Sequence, residues 1–173
     1  MRGLIRTVDD VVDQAFQPLR RVKAANWAFY AASEAADYSI AWHAISLAIA
    51  VVSPRRRRHA LRLAVMLGVE SVAVNGGLKR LTRRARPALL EDRPYEVRRP
   101  RTSSFPSGHA SSAALAAVLF TDAVPRLRPL WVTLAAIVSA SRIHNRMHHA
   151  SDVAAGTALG TFFGMAAKKL WPL

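Results

Sequence analysis

The sequence of 173 residues contains no cysteine, which excludes disulfide bonds, catalytic thiolates, iron–sulfur clusters and cysteine-based zinc sites. Acidic residues are also scarce: 11 Asp and Glu stand against 25 Lys and Arg, and the net charge is +14. A positive surplus of this size suggests nucleic acid, anionic lipid or a phosphorylated substrate as the partner. The basic segments lack the interleaved aromatic residues of a nucleic-acid-binding surface, so we expect no nucleic acid partner.

Five long segments of the chain are almost free of charged residues. They are Tyr38–Pro54, Leu63–Leu78, Thr102–Thr121, Pro129–Ser141 and Val153–Ala167, and only Glu70 interrupts them. A membrane-spanning helix needs about 20 mostly apolar residues, and long flanking side chains can extend a shorter segment to the interface. Five apolar helices leave too little amphipathic surface for a water-soluble fold of this length. The sequence therefore predicts an all-α, multi-pass transmembrane helix bundle with five spans.

The segment before the first apolar block has an amphipathic pattern. Within Leu4–Leu19 the apolar side chains recur on one helical face, and Asp9, Asp10 and Asp13 lie on the other. This pattern predicts an N-terminal amphipathic helix that lies on the membrane interface or packs on the bundle.

A second N-terminal helix is expected over Ala24–Ala36. It would be a sixth span if it crossed the membrane, but Glu34 and Asp37 weigh against that. The length suits one compact domain, and we divide the chain into interfacial N-terminal helices (1–37) and a transmembrane domain (38–173).

Two features inside the apolar segments concern helix packing. Glu70 would be costly in hydrocarbon, so we expect it to face the bundle interior. An interhelical hydrogen bond is favoured over catalysis, because Lys79 lies about 13 Å further along the helix. Gly156, Gly160 and Gly164 recur on one face of the last helix, where small residues allow close packing within the chain.

The polar residues that could take part in binding or catalysis fall in three clusters. The clusters are Lys79–Pro87, Pro106–His109 and Ser141–Asp152. The first two share a loop and therefore one side of the membrane. The 31 residues between the second and third clusters suit an out-and-back helical hairpin. All three clusters are therefore expected to meet at one membrane face.

The first chemical feature of these clusters is an anion site. Lys79, Arg86 and Arg142 supply positive charge and many N–H donors, as binding of a phosphoryl group requires. Ser107 and Gly108 open a helix, whose N-terminal N–H groups favour anions.

The second chemical feature is a nucleophile with a proton donor. His148 and Asp152 are four residues apart, so on a helix they share a face, and the carboxylate can fix the imidazole tautomer. His109 then remains to protonate a leaving oxygen.

Two other interpretations concern the remaining basic residues and the histidines. The arginines outside the anion site are interpreted as solvated or bound to lipid headgroups; they are Arg80, Arg83, Arg84, Arg98, Arg99 and Arg101. His144, His148 and His149 suggest a metal site, but carboxylates are few and the nearby cations would repel a metal. We therefore expect no metal ligand among these residues.

Taken together, the clusters form a three-part signature. Lys-x6-Arg-Pro, Pro-Ser-Gly-His and Ser-Arg-x5-His-x3-Asp all occur within Lys79–Asp152, with eleven positions in the expected order and spacing. In these motifs the chain resembles the type 2 phosphatidic acid phosphatase family.

The resemblance implies a phosphatase without metal or cofactor that acts on a lipid phosphate in the plasma membrane. His148 would attack phosphorus and form a phosphohistidine, Asp152 would orient it, and His109 would protonate the leaving oxygen and then activate water. The resemblance further implies phosphate binding by Lys79, Arg86, Ser107, Gly108 and Arg142, with Pro87, Pro106 and Ser141 in supporting positions.

The resemblance leaves several substrates open. In size and composition the chain is similar to small actinobacterial members that dephosphorylate decaprenylphosphoryl-5-phosphoribose in cell-wall precursor synthesis, so a polyprenyl-linked phosphate is expected first. Undecaprenyl diphosphate, phosphatidylglycerophosphate and phosphatidic acid are the alternatives. A non-enzymatic membrane protein that binds anionic lipid is an alternative of another class. The motifs do not specify an oligomeric state.

The distribution of basic residues indicates which side of the membrane the three clusters face. With five spans, 16 basic residues lie on the side of the clusters and nine on the other side. Because cytoplasmic loops carry the excess of Lys and Arg, five spans favour a cytoplasmic site. A sixth span over Ala24–Ala36 would change the counts to 11 and 14 and favour the outer face.

Overall fold

The computed structural model describes residues 2–89 and 100–173, and all regular structure in these residues is helical. The α-helices are α1 (Arg2–Ala15), α2 (Gln17–Arg20), α3 (Lys23–Ala35), α4 (Ile40–Val52), α5 (Arg57–Ser71), α6 (Lys79–Leu81), α7 (Gly108–Ala123), α8 (Arg128–His144) and α9 (Ala150–Leu170). A π-helical segment, Val72–Leu78, joins α5 to α6. Three short 3₁₀ turns are Asp37–Ser39, Pro54–Arg56 and Pro125–Leu127. The all-α prediction is confirmed.

Helix α7 lies at the centre of the bundle and packs against α5, α8 and α9. Its many Ala and Ser side chains are small, which lets the neighbouring helices approach closely. A Cβ at Gly156 of α9 would strike the Ser107 carbonyl oxygen, and one at Gly160 would strike that of Ser111. A Cβ at Gly164 would lie 2.7 Å from the Val118 side chain. The glycine face of α9 therefore packs within this chain, as the sequence predicted.

A buried arginine joins α5, α7 and α9 where α7 and α9 end. The Arg62 side chain is fully buried, pairs with Asp122 near the end of α7, and donates to the Trp171 carbonyl oxygen at 2.9 Å. Lys168 lies 3.1 Å from the same Asp122 carboxylate. Because a buried charge is tolerated only when it is paired, these contacts fix the relative positions of the three helices at this end.

The outer surface of the bundle is apolar along several helices. Leu47 and Val51 of α4, Val72 of the π segment and Phe162 of α9 are between 65% and 73% exposed. Large apolar side chains exposed on several helices are typical of contact with lipid. By length and hydropathy, the continuous helix Pro54–Leu81 can cross a bilayer, and α3 with the bent continuation Asp37–Val52 is a second candidate. This criterion identifies fewer spans among the described residues than the five or six that the sequence predicted.

The N-terminal amphipathic helix forms, but its acidic face is the one that contacts the bundle. It ends at Ala15, and Pro18 lies in the first turn of the separate helix α2. Asp9 of α1 is 5% exposed, whereas Leu4 and Val11 on the apolar face are 70% and 59% exposed. The apolar face of α1 is therefore directed outward.

Candidate active site

The first and second clusters meet because the segments on either side of their loop are hydrogen-bonded to each other. The Ser104 N–H donates to the Arg84 carbonyl oxygen at 3.0 Å, and the Ser104 hydroxyl donates to the Ala85 carbonyl oxygen at 3.0 Å. The Thr82 hydroxyl donates to the Phe105 carbonyl oxygen at 2.6 Å. The segment that follows α6 is thereby held against the segment that leads into α7.

Asp152, in the first turn of α9, connects the third cluster to the other two. Its backbone carbonyl oxygen accepts from the Ser107 N–H at 3.0 Å. Its carboxylate accepts from Arg84 Nη1 at 2.6 Å and from the His149 N–H at 2.9 Å. The carboxylate thus caps α9 in the manner of a capping box. The three clusters meet at one end of the bundle, as the sequence predicted.

His148 lies just before α9, not on the helix that its four-residue spacing to Asp152 suggested. Its Nδ1 is 2.6 Å from the Ser104 carbonyl oxygen. Because a carbonyl oxygen only accepts, Nδ1 carries the proton and Nε2 carries the lone pair. The Asp152 carboxylate is 3.8 Å from Nδ1, beyond hydrogen-bonding distance. Ser104 therefore fixes the tautomer, a role that the sequence interpretation gave to Asp152.

The surroundings of His148 keep its imidazole neutral. Burial lowers the pKa of His148 to about 3; the nearby Asp152 acts in the opposite direction, and the cations of Arg142, Arg86 and Lys79 add to the decrease. The ring is therefore uncharged at neutral pH, and the Nε2 lone pair is available as a nucleophile. Arg86 Nη1 lies 3.2 Å from this nitrogen.

Lys79 is held beside the N-terminus of α7 by Asn75 of the π segment. Asn75 Oδ1 accepts from Lys79 Nζ at 2.7 Å. A Cβ at Gly108 would come within 2.9 Å of the same Oδ1, so the absence of a side chain there makes room for the amide. The Ser107 hydroxyl caps α7 by accepting from the Ala110 N–H at 3.4 Å.

The two arginines of the anion site are fixed by polar groups of other elements. Arg86 Nη1 donates to the Met147 carbonyl oxygen at 2.8 Å. Arg142 is 3% exposed and donates through Nη1 to the Ser33 hydroxyl of α3. Arg142 Nε is buried and has no hydrogen-bond partner among the described residues. An oxyanion is the ligand that would satisfy such a donor.

His109 is oriented by an acidic residue from the turn between α3 and α4. Its Nε2 lies 2.7 Å from Asp37 Oδ1. Tyr38 and Ser39 have φ values of 52° and 60°, a conformation that costs non-glycine residues roughly 1–3 kcal/mol. This sharp turn places the Asp37 carboxylate against the second residue of α7.

Six of the predicted site residues line one cavity of about 580 Å³: Lys79, Arg86, Gly108, His109, Arg142 and His148. Asp152 and Ser107 are fully buried outside its lining. Within the described residues, no three His, Asp or Glu side chains are grouped closely enough to hold a metal ion. A cavity lined by three cations and a neutral imidazole suits a phosphoryl group.

The predicted supporting residues are buried around this cavity. Pro87 and Pro106 are both buried. Ser141 is fully buried, and its hydroxyl donates to the Val138 carbonyl oxygen at 2.6 Å within the last turns of α8.

Comparison with known proteins identifies the family. Residues 59–172 match the model of the PAP2 superfamily. The chain belongs to the PAP2 superfamily. This confirms the resemblance that the three motifs indicated, since the matched residues contain all of them.

Two relatives of this PAP2 chain are named decaprenylphosphoryl-5-phosphoribose phosphatase. The protein from Mycobacterium tuberculosis is 39% identical over 131 residues, which are 74% of this chain and 70% of the relative. The protein from Mycolicibacterium smegmatis is 32% identical over 128 residues, which are 73% of this chain and 68% of the relative. The family and these names identify a phosphatase that acts on lipid phosphates, the class of enzyme that the sequence predicted.

Two solved structures share the fold. A transmembrane PAP2 type phosphatidylglycerolphosphate phosphatase from Bacillus subtilis superposes with a TM-score of 0.74 and 19% identity, over 96% of this chain and 86% of that one. LpxE from Aquifex aeolicus gives a TM-score of 0.61 and 22% identity, over 96% and 93% of the two chains. The membrane-protein fold of this PAP2 chain is supported by the first of these structures.

Five residues near the PAP2 site were not assigned to it from the sequence: Asp9, Asp37, Asn75, Arg84 and Ser104. Arg84 was interpreted as solvated or bound to headgroups, but its guanidinium lies 2.6 Å from both Asp9 Oδ2 and Asp152 Oδ1. Asp9 in turn accepts from the Ser151 N–H at 2.8 Å and from its hydroxyl at 2.9 Å. The acidic face of the amphipathic α1 was the available signal for Asp9.

Arg84 and Asp9 are predicted to be positioning residues for Asp152. Charge-assisted hydrogen bonds contribute roughly 1.5–3 kcal/mol, so Arg84→Gln should lower kcat by about 10- to 100-fold. KM should change little, because neither side chain lines the cavity. Asp9→Asn should lower kcat in the same direction but less, and Arg84→Lys should restore part of the loss. Phosphate release by purified variants measures all of these effects.

The matched control for this prediction is Asp10→Asn, since Asp10 is exposed on the same helix. Wild-type kcat in folded Arg84→Gln and Asp9→Asn proteins would contradict the prediction.

Proposed function

We propose that this PAP2 protein removes the 5-phosphate from decaprenylphosphoryl-5-phosphoribose or a closely similar polyprenyl-linked phosphosugar in the plasma membrane. The observation that carries the proposal is the 39% identity to a phosphatase of that name over about three quarters of the chain. The complete set of cations and histidines around one cavity supports retained catalysis.

Phosphate binding is the first step of the proposed mechanism. Lys79, Arg86 and Arg142 border the cavity and would take the non-bridging oxygens, with the N-terminus of α7 at Gly108 as a further donor. The buried Arg142 Nε would gain a hydrogen-bond acceptor. Because Lys79 and Arg142 are already held in place by Asn75 and Ser33, they would stabilise the charge of the transition state with little reorganisation.

Attack by His148 is the chemical step. The Nε2 lone pair would form a bond to phosphorus while the bond between phosphorus and the sugar oxygen breaks. The Arg86 Nη1, 3.2 Å from Nε2, would release this nitrogen by turning to a phosphate oxygen. The Ser104 carbonyl oxygen would stabilise the positive charge that develops on the ring, through the Nδ1 hydrogen.

Proton transfer is assigned to His109. Asp37 accepts from its Nε2–H, so His109 would act in the imidazolium form, in which Nδ1 also carries a proton and gives it to the departing sugar oxygen. The same nitrogen would then accept a proton from water, whose oxygen attacks phosphorus as the bond to His148 breaks. The products are inorganic phosphate, the free sugar hydroxyl and the regenerated histidines.

A substrate panel tests the proposed function. Detergent-purified protein should release phosphate from decaprenylphosphoryl-5-phosphoribose with a kcat/KM about tenfold or more above those for undecaprenyl diphosphate, phosphatidylglycerophosphate and phosphatidic acid, which corresponds to roughly 1.4 kcal/mol of transition-state binding. The His148→Ala protein is the negative control for phosphate release. An equal or greater kcat/KM on another lipid would contradict the proposed substrate. No release from any lipid would favour a non-enzymatic lipid-binding protein.

We also propose that five helical units cross the membrane: α4, α5 with α6, α7, α8 and α9. The position of α3 supports this arrangement, because both termini of α3 contact the same end of the bundle. Asn26 Oδ1, near its start, is 2.8 Å from His144 Nε2, and Asp37, just past its end, contacts His109. Residues 1–37 would then lie on the side of the candidate active site, and the count of 16 basic residues against nine supports a cytoplasmic position for that side.

Single cysteines test this topology, because the chain has none of its own. Arg57→Cys and Arg101→Cys introduce exposed thiols beyond α4 and before α7, respectively. In intact cells, an impermeant thiol reagent should label Cys at 57 and spare Cys at 101. Labelling at 101 with protection at 57 would contradict the cytoplasmic active site.

A further inference from the structure

Glu70 is a buried acid in the active-site cavity that the proposed mechanism does not use. It is 2% exposed, and it lines the same cavity as His109 and His148. Its side chain interacts with the Ser111 hydroxyl of α7, as the interhelical contact expected from the sequence, but Oε1 has no partner at hydrogen-bonding distance among the described residues. A buried acceptor that lines a binding cavity indicates a missing hydrogen-bond donor.

The π-helical segment explains how Glu70 reaches the site. Residues nine positions apart in a regular α-helix are separated by about two and a half turns, so Glu70 and Lys79 would point in opposite directions. The segment Val72–Leu78 between them is wider and turns less per residue. As a result, both side chains line one cavity. Such π segments often occur at functional sites.

The cavity therefore has a part lined by cations and a part lined by an acidic residue. The cations Lys79, Arg86 and Arg142 surround the reacting phosphate position, whereas Glu70 supplies a carboxyl group on the wall formed by α5. A fully ionised phosphate monoester or an acyl chain offers no donor to a carboxylate, and a second ionised phosphate would be repelled by it. A hydroxyl group next to the scissile phosphate is the donor that fits.

We propose that Glu70 forms a hydroxyl-binding subsite, which selects phosphate esters of a sugar or another polyol over hydroxyl-free lipid phosphates. The proposal deepens the proposed function and rests on it, because the hydrolysed phosphate must be held by the cations while the neighbouring hydroxyls reach Glu70. A site that hydrogen-bonds a substrate hydroxyl discriminates strongly against analogues that lack it.

The test compares two hydroxyl-bearing substrates, decaprenylphosphoryl-5-phosphoribose and phosphatidylglycerophosphate, with phosphatidic acid, whose glycerol carries no free hydroxyl. In Glu70→Ala, kcat/KM for the hydroxyl-bearing substrate that wild type prefers should fall about tenfold or more. The value for phosphatidic acid should stay within about twofold of wild type. The isosteric Glu70→Gln should show a smaller change in the same direction, and it guards against a folding defect in the alanine variant.

Val69→Ala is the matched control, because Val69 is the neighbouring residue and is 47% exposed. Equal losses on all three lipids, or no loss on any, in folded Glu70 variants would overturn the subsite. The substrate preference of the wild-type protein tests the proposed function. The subsite is tested separately, by the ratio of kcat/KM for hydroxyl-bearing and hydroxyl-free lipids, which is determined for each protein on its own. If the wild-type protein prefers phosphatidylglycerophosphate, the proposed phosphoribosyl substrate is wrong. The comparison of the Glu70 variants with wild type would still test the subsite, because phosphatidylglycerophosphate also carries a free hydroxyl.

Discussion

The candidate active site depends on the hydrogen bonds of one buried carboxylate residue, Asp152. Its backbone carbonyl oxygen holds the N-terminus of α7 through Ser107, and its side chain binds Arg84 and the N-cap of α9. A buried charge without these partners would be strongly destabilising. The same residue therefore joins the three sequence clusters and places His148 at the cavity wall. The proposed catalytic geometry is a consequence of how α9 begins.

The sequence predicted the all-helical fold and the approach of the three clusters, because both follow from local patterns. Apolar blocks determine helices, and loop lengths determine which helix ends meet. The partners that complete the site were not predicted, because they come from distant parts of the chain. Asp37 lies 72 residues from His109, and Asp9 lies 75 residues from Arg84. The Ser104 carbonyl oxygen is a backbone group, which carries no side-chain signal at all.

At two places the structure departs from regular α-helical geometry, and both departures change the positions of side chains at the site. The π segment turns Glu70 into the cavity, although nine α-helical positions would direct it away from Lys79. The break before α9 leaves His148 off the helix, so that Ser104 and not Asp152 binds Nδ1. In α1 the expected amphipathic helix forms, and an ion pair and hydrogen bonds of its acidic face attach it to the bundle.

The central claim is that His148 Nε2 is the nucleophile, and trapping the covalent intermediate tests it most directly. Protein mixed with substrate labelled with ³²P at the scissile phosphate, and quenched in alkaline detergent, should carry label on His148 as a phosphohistidine. The label should be absent from His148→Ala and retained in His149→Ala. Label on His149, or rapid phosphate release without any protein-bound phosphate at His148, would contradict the account.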